Sequence, residues 1–161
     1  MKKKDFLNYL DERLTEKMLD FDVALDWDTK NHTIEIIFRL FAENKGQQAI
    51  DDATGVVSEE EVIEFEDGIL LYNPQKSKFV TEDYLTTIAY EGKKGLSVGF
   101  INGLVDYLND VLTTGMDDLL DFLSDDSEAE VFELKWQAAD LQASVEKYAA
   151  EANEYLAYPS Y

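Results

Sequence analysis

The sequence predicts an α+β domain, with an antiparallel sheet of about four to six strands and an N-terminal helix and C-terminal helices packed on it. Three observations carry this. Apolar residues recur at three- and four-residue spacing at both ends of the chain, and they alternate with polar residues in the segments between. A length of 161 residues with 45% hydrophobic content suits one core, hence a single domain over residues 1–161.

In chain order, Phe6, Leu7, Leu10, Leu14 and Met18 form the stripe of an amphipathic helix over about residues 4–20. The period then changes to two. Phe21, Val23, Leu25 and Trp27 alternate with Asp22, Ala24, Asp26 and Asp28, and after the turn Asp28-Thr29-Lys30-Asn31 a second strand places Ile34, Ile36, Phe38, Leu40 and Ala42 on one face. The two strands read as an antiparallel hairpin. Residues 44–58 lack a period and read as a long loop. Val62–Phe65 and Ile69–Tyr72 read as a second hairpin joined across Glu66-Asp67-Gly68 and ended by Asn73-Pro74. Tyr84–Tyr90 is β-branched and aromatic and reads as a strand, with a helix starting near Thr81 as the alternative.

From Ser97, an N-cap residue, helical spacing returns through Phe100, Ile101, Leu104, Val105, Leu108, Val111 and Leu112. Gly115 is expected to break this helix, with Met116–Leu123 continuing as a second short one. Val131–Trp136 alternates and reads as a last strand, and residues 137–156 read as the final helix.

The composition narrows the function. The absence of cysteine excludes disulfides, thiolate-bound zinc, iron–sulfur clusters and cysteine nucleophiles. The lysines at the start are followed by Asp5, Asn8, Asp11 and Glu12 rather than by the apolar stretch of a signal peptide. No apolar run approaches the roughly 20 residues that cross a bilayer, so the expected location is the cytoplasm. Fourteen basic against 35 acidic side chains give a net charge of -21, which repels nucleic-acid phosphates and anionic lipid alike. The charge is uneven: residues 1–44 carry net -3, residues 45–94 net -6 and residues 95–161 net -12.

The order of elements, the Val23–Trp27 strand ending in Trp27-Asp28, the Asn31-His32 turn into Ile34–Phe38 and the acidic C-terminal helices together resemble the domain-of-unknown-function family numbered 3013, small proteins of Gram-positive bacteria. The resemblance covers nearly the whole chain through motifs of a structural kind. It implies no assigned activity, and a fold similar to that of the SecB export chaperone, an antiparallel sheet backed by helices. Function does not follow from that likeness of fold.

No catalytic, cofactor or metal motif emerges. His32, the sole histidine, sits at a turn without a nucleophile elbow and reads as a solvated turn residue. Asp26 and Asp28 read as the wet face of a strand that discourages edge pairing. Asp26–Lys30 begins like a calcium loop but has Asn31 where glycine is required and Ile37 where glutamate is. Gly95, Gly99 and Gly103 match no phosphate-loop pattern. Gly99 and Gly103 share a helix face suited to tight internal packing, with a homodimer contact as the alternative. Tyr155, Tyr158 and Tyr161 either dock on a partner or fold back on the chain. The densest acidic run, Asp117, Asp118, Asp121, Asp125, Asp126, Glu128 and Glu130, is the expected partner-binding feature.

The expected function is therefore that of a non-enzymatic, acidic interaction or chaperone-like binding protein. Its partner would be a basic or partly unfolded protein, with no cofactor, direct nucleic-acid binding or membrane association. The alternatives are a nucleic-acid mimic that occupies the groove of a DNA- or RNA-binding protein, and an enzyme of unrecognised type acting through buried carboxylates.

Overall fold

The computed structural model describes residues 5–19, 21–43, 62–122 and 134–159. Its first hairpin is the expected one. Asp28 Oδ1 accepts hydrogen bonds from the backbone N–H groups of Lys30 and Asn31, both at 3.1 Å, which closes the turn between β1 (Asp22–Asp28) and β2 (Thr33–Glu43). The register pairs Val23 with Phe38, Leu25 with Ile36 and Trp27 with Ile34. One face of the ribbon is thus apolar, and Ile34, Ile36, Phe38 and Leu40 are fully buried on it. The turn ends in His32, whose φ of 57° is the only positive value among the described residues other than glycine.

The second expected hairpin is corrected: Val62–Tyr72 is one unbroken strand, β3, antiparallel to β2 along its whole length. Asp67 and Gly68 sit within the ladder opposite Phe38 and Ile37. Phe65, Ile69 and Leu71 keep one parity across Asp-Gly, so the strand continues on the same face. An 11-residue β2 offers it a longer template than two four-residue arms could offer each other. Beyond Tyr72 the chain crosses back to β4 (Thr86–Ala89), which lies parallel to β3. The helix alternative near Thr81 is reduced to a single turn of 3-10 helix at Thr81–Asp83. The crossover packs Phe79 against Tyr72 at a tilt (ring centroids 4.6 Å apart) and sets Tyr84 edge-on to Phe79. The sheet order is β1-β2-β3-β4, mostly antiparallel with one parallel edge strand.

Two helices cover the apolar face. α1 (Phe6–Lys17) starts where Asp5 accepts a hydrogen bond from the N–H of Asn8 (2.8 Å), and it buries Phe6, Leu10 and Leu14 at four-residue spacing. α2 (Val98–Phe122) is capped by Ser97, whose Oγ accepts from the N–H of Phe100 (3.0 Å). It runs 25 residues without interruption, so the expected break at Gly115 does not occur. A side chain at Gly115 would strike Leu134; the glycine makes room for a neighbour. Leu134 belongs to the expected last strand, but residues 134–137 pair with no strand, and 131–133 lie outside the described residues. Trp136 packs edge-on to Tyr107 (4.7 Å) and the Tyr107 hydroxyl accepts from the N–H of Gln137 (2.8 Å). The alternation there serves attachment to α2.

The final helix is shorter than its periodicity suggests. α3 spans Ala138–Glu146, a 3-10 turn follows at Ala149–Glu151, and β6 (Tyr155–Leu156) pairs with β5 (Leu96–Ser97). The reason lies on α2. A Cβ at Gly103 would stand 2.5 Å from Val145 Cα, and one at Gly99 2.6 Å from the Tyr148 carbonyl oxygen. The C-terminal backbone therefore lies directly on the helix, and the chain must turn to follow it. This is the tight internal packing expected of Gly99 and Gly103. The loop expected at 44–58 lies outside the described residues.

Gly103→Ala should destabilise the protein by about 1–3 kcal/mol in urea titration, because overpacking against backbone outweighs the roughly 1 kcal/mol by which alanine favours a helix over glycine. Gly115→Ala should be milder, since only the mobile end of Leu134 must shift. Equal effects at the two sites would contradict the packing described.

Candidate functional site

The described part of the acidic run sits at the end of α2. Asp117 and Asp121 are exposed, and Asp118 lies 3.9 Å from Lys135 Nζ. Asp125, Asp126, Glu128 and Glu130 lie outside the described residues. The last turn of α2 contains no basic residue, so these carboxylates add to the negative end of the helix dipole. Asp117 also borders a cleft of about 330 Å³ between α2 and the open end of the first hairpin, lined by Phe21, Leu40, Phe41 and Met116 with Asp22 and Arg39. Arg39 is already engaged by Asp22 (3.2 Å), Glu64 (3.2 Å) and Glu66 (3.4 Å). Phe41 is 46% exposed, and Leu120, one helical turn beyond Met116, is 47% exposed. The cleft is thus apolar inside and acidic at the rim.

A second acidic group lies on the sheet. Asp26 pairs directly with Glu35 across β1 and β2, and burial, then Asp26, Glu66 and Asp67, push the Glu35 carboxyl above its ordinary pKa. Burial likewise raises Asp67, against the hydrogen bonds that the backbone N–H groups of Gly68 and Leu85 donate to it. Among the described residues no three carboxylate or histidine side chains converge as metal ligands, and no helix is long and apolar enough to cross a membrane.

The opposite end of the sheet holds a larger cavity of about 470 Å³, bordered by His32, Asn73, Lys76, Tyr90, Lys93 and Tyr158, among others. Tyr158 is folded back on the chain. It stacks on Tyr90 (5.0 Å, 16°), accepts a hydrogen bond from Trp27 Nε1 (2.7 Å) and lies 6.1 Å from His32. His32 is half-buried rather than solvated. Lys76 and Lys93 escape sequence reasoning because they are far apart in the chain. They border one cavity because β4 runs parallel to β3, which brings the ends of both strands to one edge.

Residues 1–160 match the family described as "Protein of unknown function (DUF3013)". The chain belongs to this family. The crystal structure of a conserved protein of unknown function from Enterococcus faecalis is similar to it, with 55% sequence identity, a TM-score of 0.89, and coverage of 99% of this chain and 98% of that one. No curated protein matches the chain. The DUF3013 membership expected from the Trp27-Asp28 and Asn31-His32 features is thereby shown.

A carboxyl whose pKa is higher in the folded state than in the unfolded state binds its proton more tightly when folded. Stability therefore falls as pH rises from the ordinary carboxyl value through the raised one. Glu35→Gln should raise stability at pH 7 by roughly 0.2–1 kcal/mol through loss of the like-charge pair with Asp26. The gain should vanish by about pH 3, well below the ordinary glutamate value of about 4.3, where Glu35 is protonated in both states. Urea midpoints at pH 7 and pH 3 check both statements.

Proposed function

We propose that this DUF3013 chain is a non-enzymatic, cytoplasmic binding protein that takes a basic, partly apolar segment of a protein partner, in the manner of a chaperone-like interaction module. The observation that carries the reading is the cleft at the end of α2, where exposed Phe41 joins an apolar lining with Asp22 and Asp117 at its edge, and exposed Leu120 lies one helical turn beyond Met116. Arg39, the one cation lining the cleft among the described residues, is held by Asp22, Glu64 and Glu66, which leaves exposed Asp117 to receive an incoming lysine or arginine. Covering Phe41 and Leu120 would contribute about 2–4 kcal/mol at roughly 25 cal/mol per Å². The net charge of -21 would steer the same partner from a distance.

Fluorescence polarisation with a labelled peptide of alternating lysine and leucine tests the reading. Binding should weaken as salt screens the charges. Phe41→Thr, which keeps a strand-forming residue on β2, should weaken it about tenfold, and Asp117→Asn should reduce its salt dependence. Equal binding of an acidic peptide, or indifference to Phe41→Thr, would refute it.

A further inference from the structure

The geometry points to a second, independent binding site: the cavity between the turns that follow β1, β3 and β4 takes a small phosphate monoester with an aromatic or heterocyclic body. At about 470 Å³ the space suits a ligand of nucleotide size. Its charge runs against that of the molecule. Lys76 and Lys93 stand exposed on its border, and no carboxylate lines it among the described residues. In a chain with 35 acidic and 14 basic side chains, a concavity bordered by two ammonium groups and no carboxylate has a local charge opposite to that of the whole. Two lysines match a phosphate monoester, which carries nearly two negative charges at pH 7, better than a carboxylate with one.

Asn73 supplies the buried polar group. It is 9% exposed, and its Oδ1 accepts from the N–H of Gln75 (2.9 Å). That bond fixes the orientation of the amide and leaves Nδ2 without a partner among the described residues, so Asn73 brings a free donor to the lining of the cavity. The half-buried Tyr158 ring, backed by the buried Tyr90 ring stacked on it, and the His32 imidazole offer flat surfaces to the body of the ligand.

The walls are held before any ligand arrives. The His32 carbonyl accepts from Tyr90 Oη (2.6 Å) and Ser77 Oγ (3.0 Å), which secures the left-handed backbone at His32. Asn31 exchanges two hydrogen bonds with the backbone of Lys78 (2.7 and 2.8 Å), and the N–H of Tyr158 donates to the Lys93 carbonyl (3.2 Å). A site fixed in this way loses little conformational freedom on binding.

Trp27 is a built-in reporter, because its indole N–H donates to the Tyr158 hydroxyl. In a Trp136→Phe background, titration with adenosine 5′-monophosphate and with phenyl phosphate should give a saturable change in Trp27 emission. Lys76→Gln and Lys93→Gln, both at exposed positions, should each weaken binding at least tenfold. Adenosine and inorganic phosphate should bind at least tenfold more weakly than the joined molecule. Calorimetry on the unsubstituted protein provides a second readout. Absence of saturable binding by both methods overturns the inference, as does unchanged affinity in both lysine variants. Adenosine binding as well as the monophosphate overturns the phosphate assignment, and inorganic phosphate binding equally well overturns the aromatic one. Phe41→Thr should leave this titration unaltered, so the outcome is separate from that of the peptide cleft.

Discussion

The absence of side chains at three positions on α2 governs the C-terminal third of the molecule. Gly99 and Gly103 let the backbone of α3 and its following turn lie directly on the helix, and Gly115 admits Leu134. Glycine inside a helix is unfavourable by about 1 kcal/mol each, and close packing of backbone and side chains offsets it. Because the C-terminal chain is drawn in so tightly, it reaches β5, adds β6 beside it, and delivers Tyr158 between Trp27, Tyr90 and Phe6. The N–H of Phe6 then donates to the Ala157 carbonyl (3.0 Å), which links the first helix to the last segment. The aromatic floor of the cavity thus depends on Gly99 and Gly103, which let the C-terminal chain lie against α2.

Charge is organised by the fold as well as by the chain. Residues 95–161 hold net -12, and the part of that excess on α2 gathers at the negative end of its dipole. At the other end, the turns after strands β3 and β4 place Lys76 and Lys93 on the border of one cavity. The long-range field repels anions while the short-range field at one concavity attracts them. Specificity can arise from that difference, since only an anion that gains close contacts overcomes the repulsion.

The parts of the fold that were legible share one property: a period imposed by burying a single face. The stripe Phe6, Leu10, Leu14 and the alternation Val23, Leu25, Trp27 against Ile34, Ile36, Phe38 each record a face turned to the core, and the structure buries those faces. Asp67-Gly68 misled because a dipeptide suited to a tight turn is equally tolerated inside a long ladder whose partner strand continues past it. Gly115 misled for the complementary reason, since a glycine that interrupts an isolated helix is an opening in a packed one. In the candidate sites the acidic residues were visible as a run, while the apolar cleft beside Asp117 and the placing of Lys76 and Lys93 on one cavity depend on contacts between distant elements.

The sequence by itself determined the class of fold, the first hairpin, the Ser97 cap, the charge and its imbalance, the lack of thiol chemistry and the family. All of these follow from local periodicity, local hydrogen bonding or composition, and each needs only neighbours within a few residues. Only the tertiary structure decided that β3 is one strand, that β4 runs parallel to it, that α2 passes through Gly115, and that Tyr158 closes on Trp27. These are choices between partners of similar local merit, and the free energy that separates them comes from packing between segments that the chain brings together only on folding.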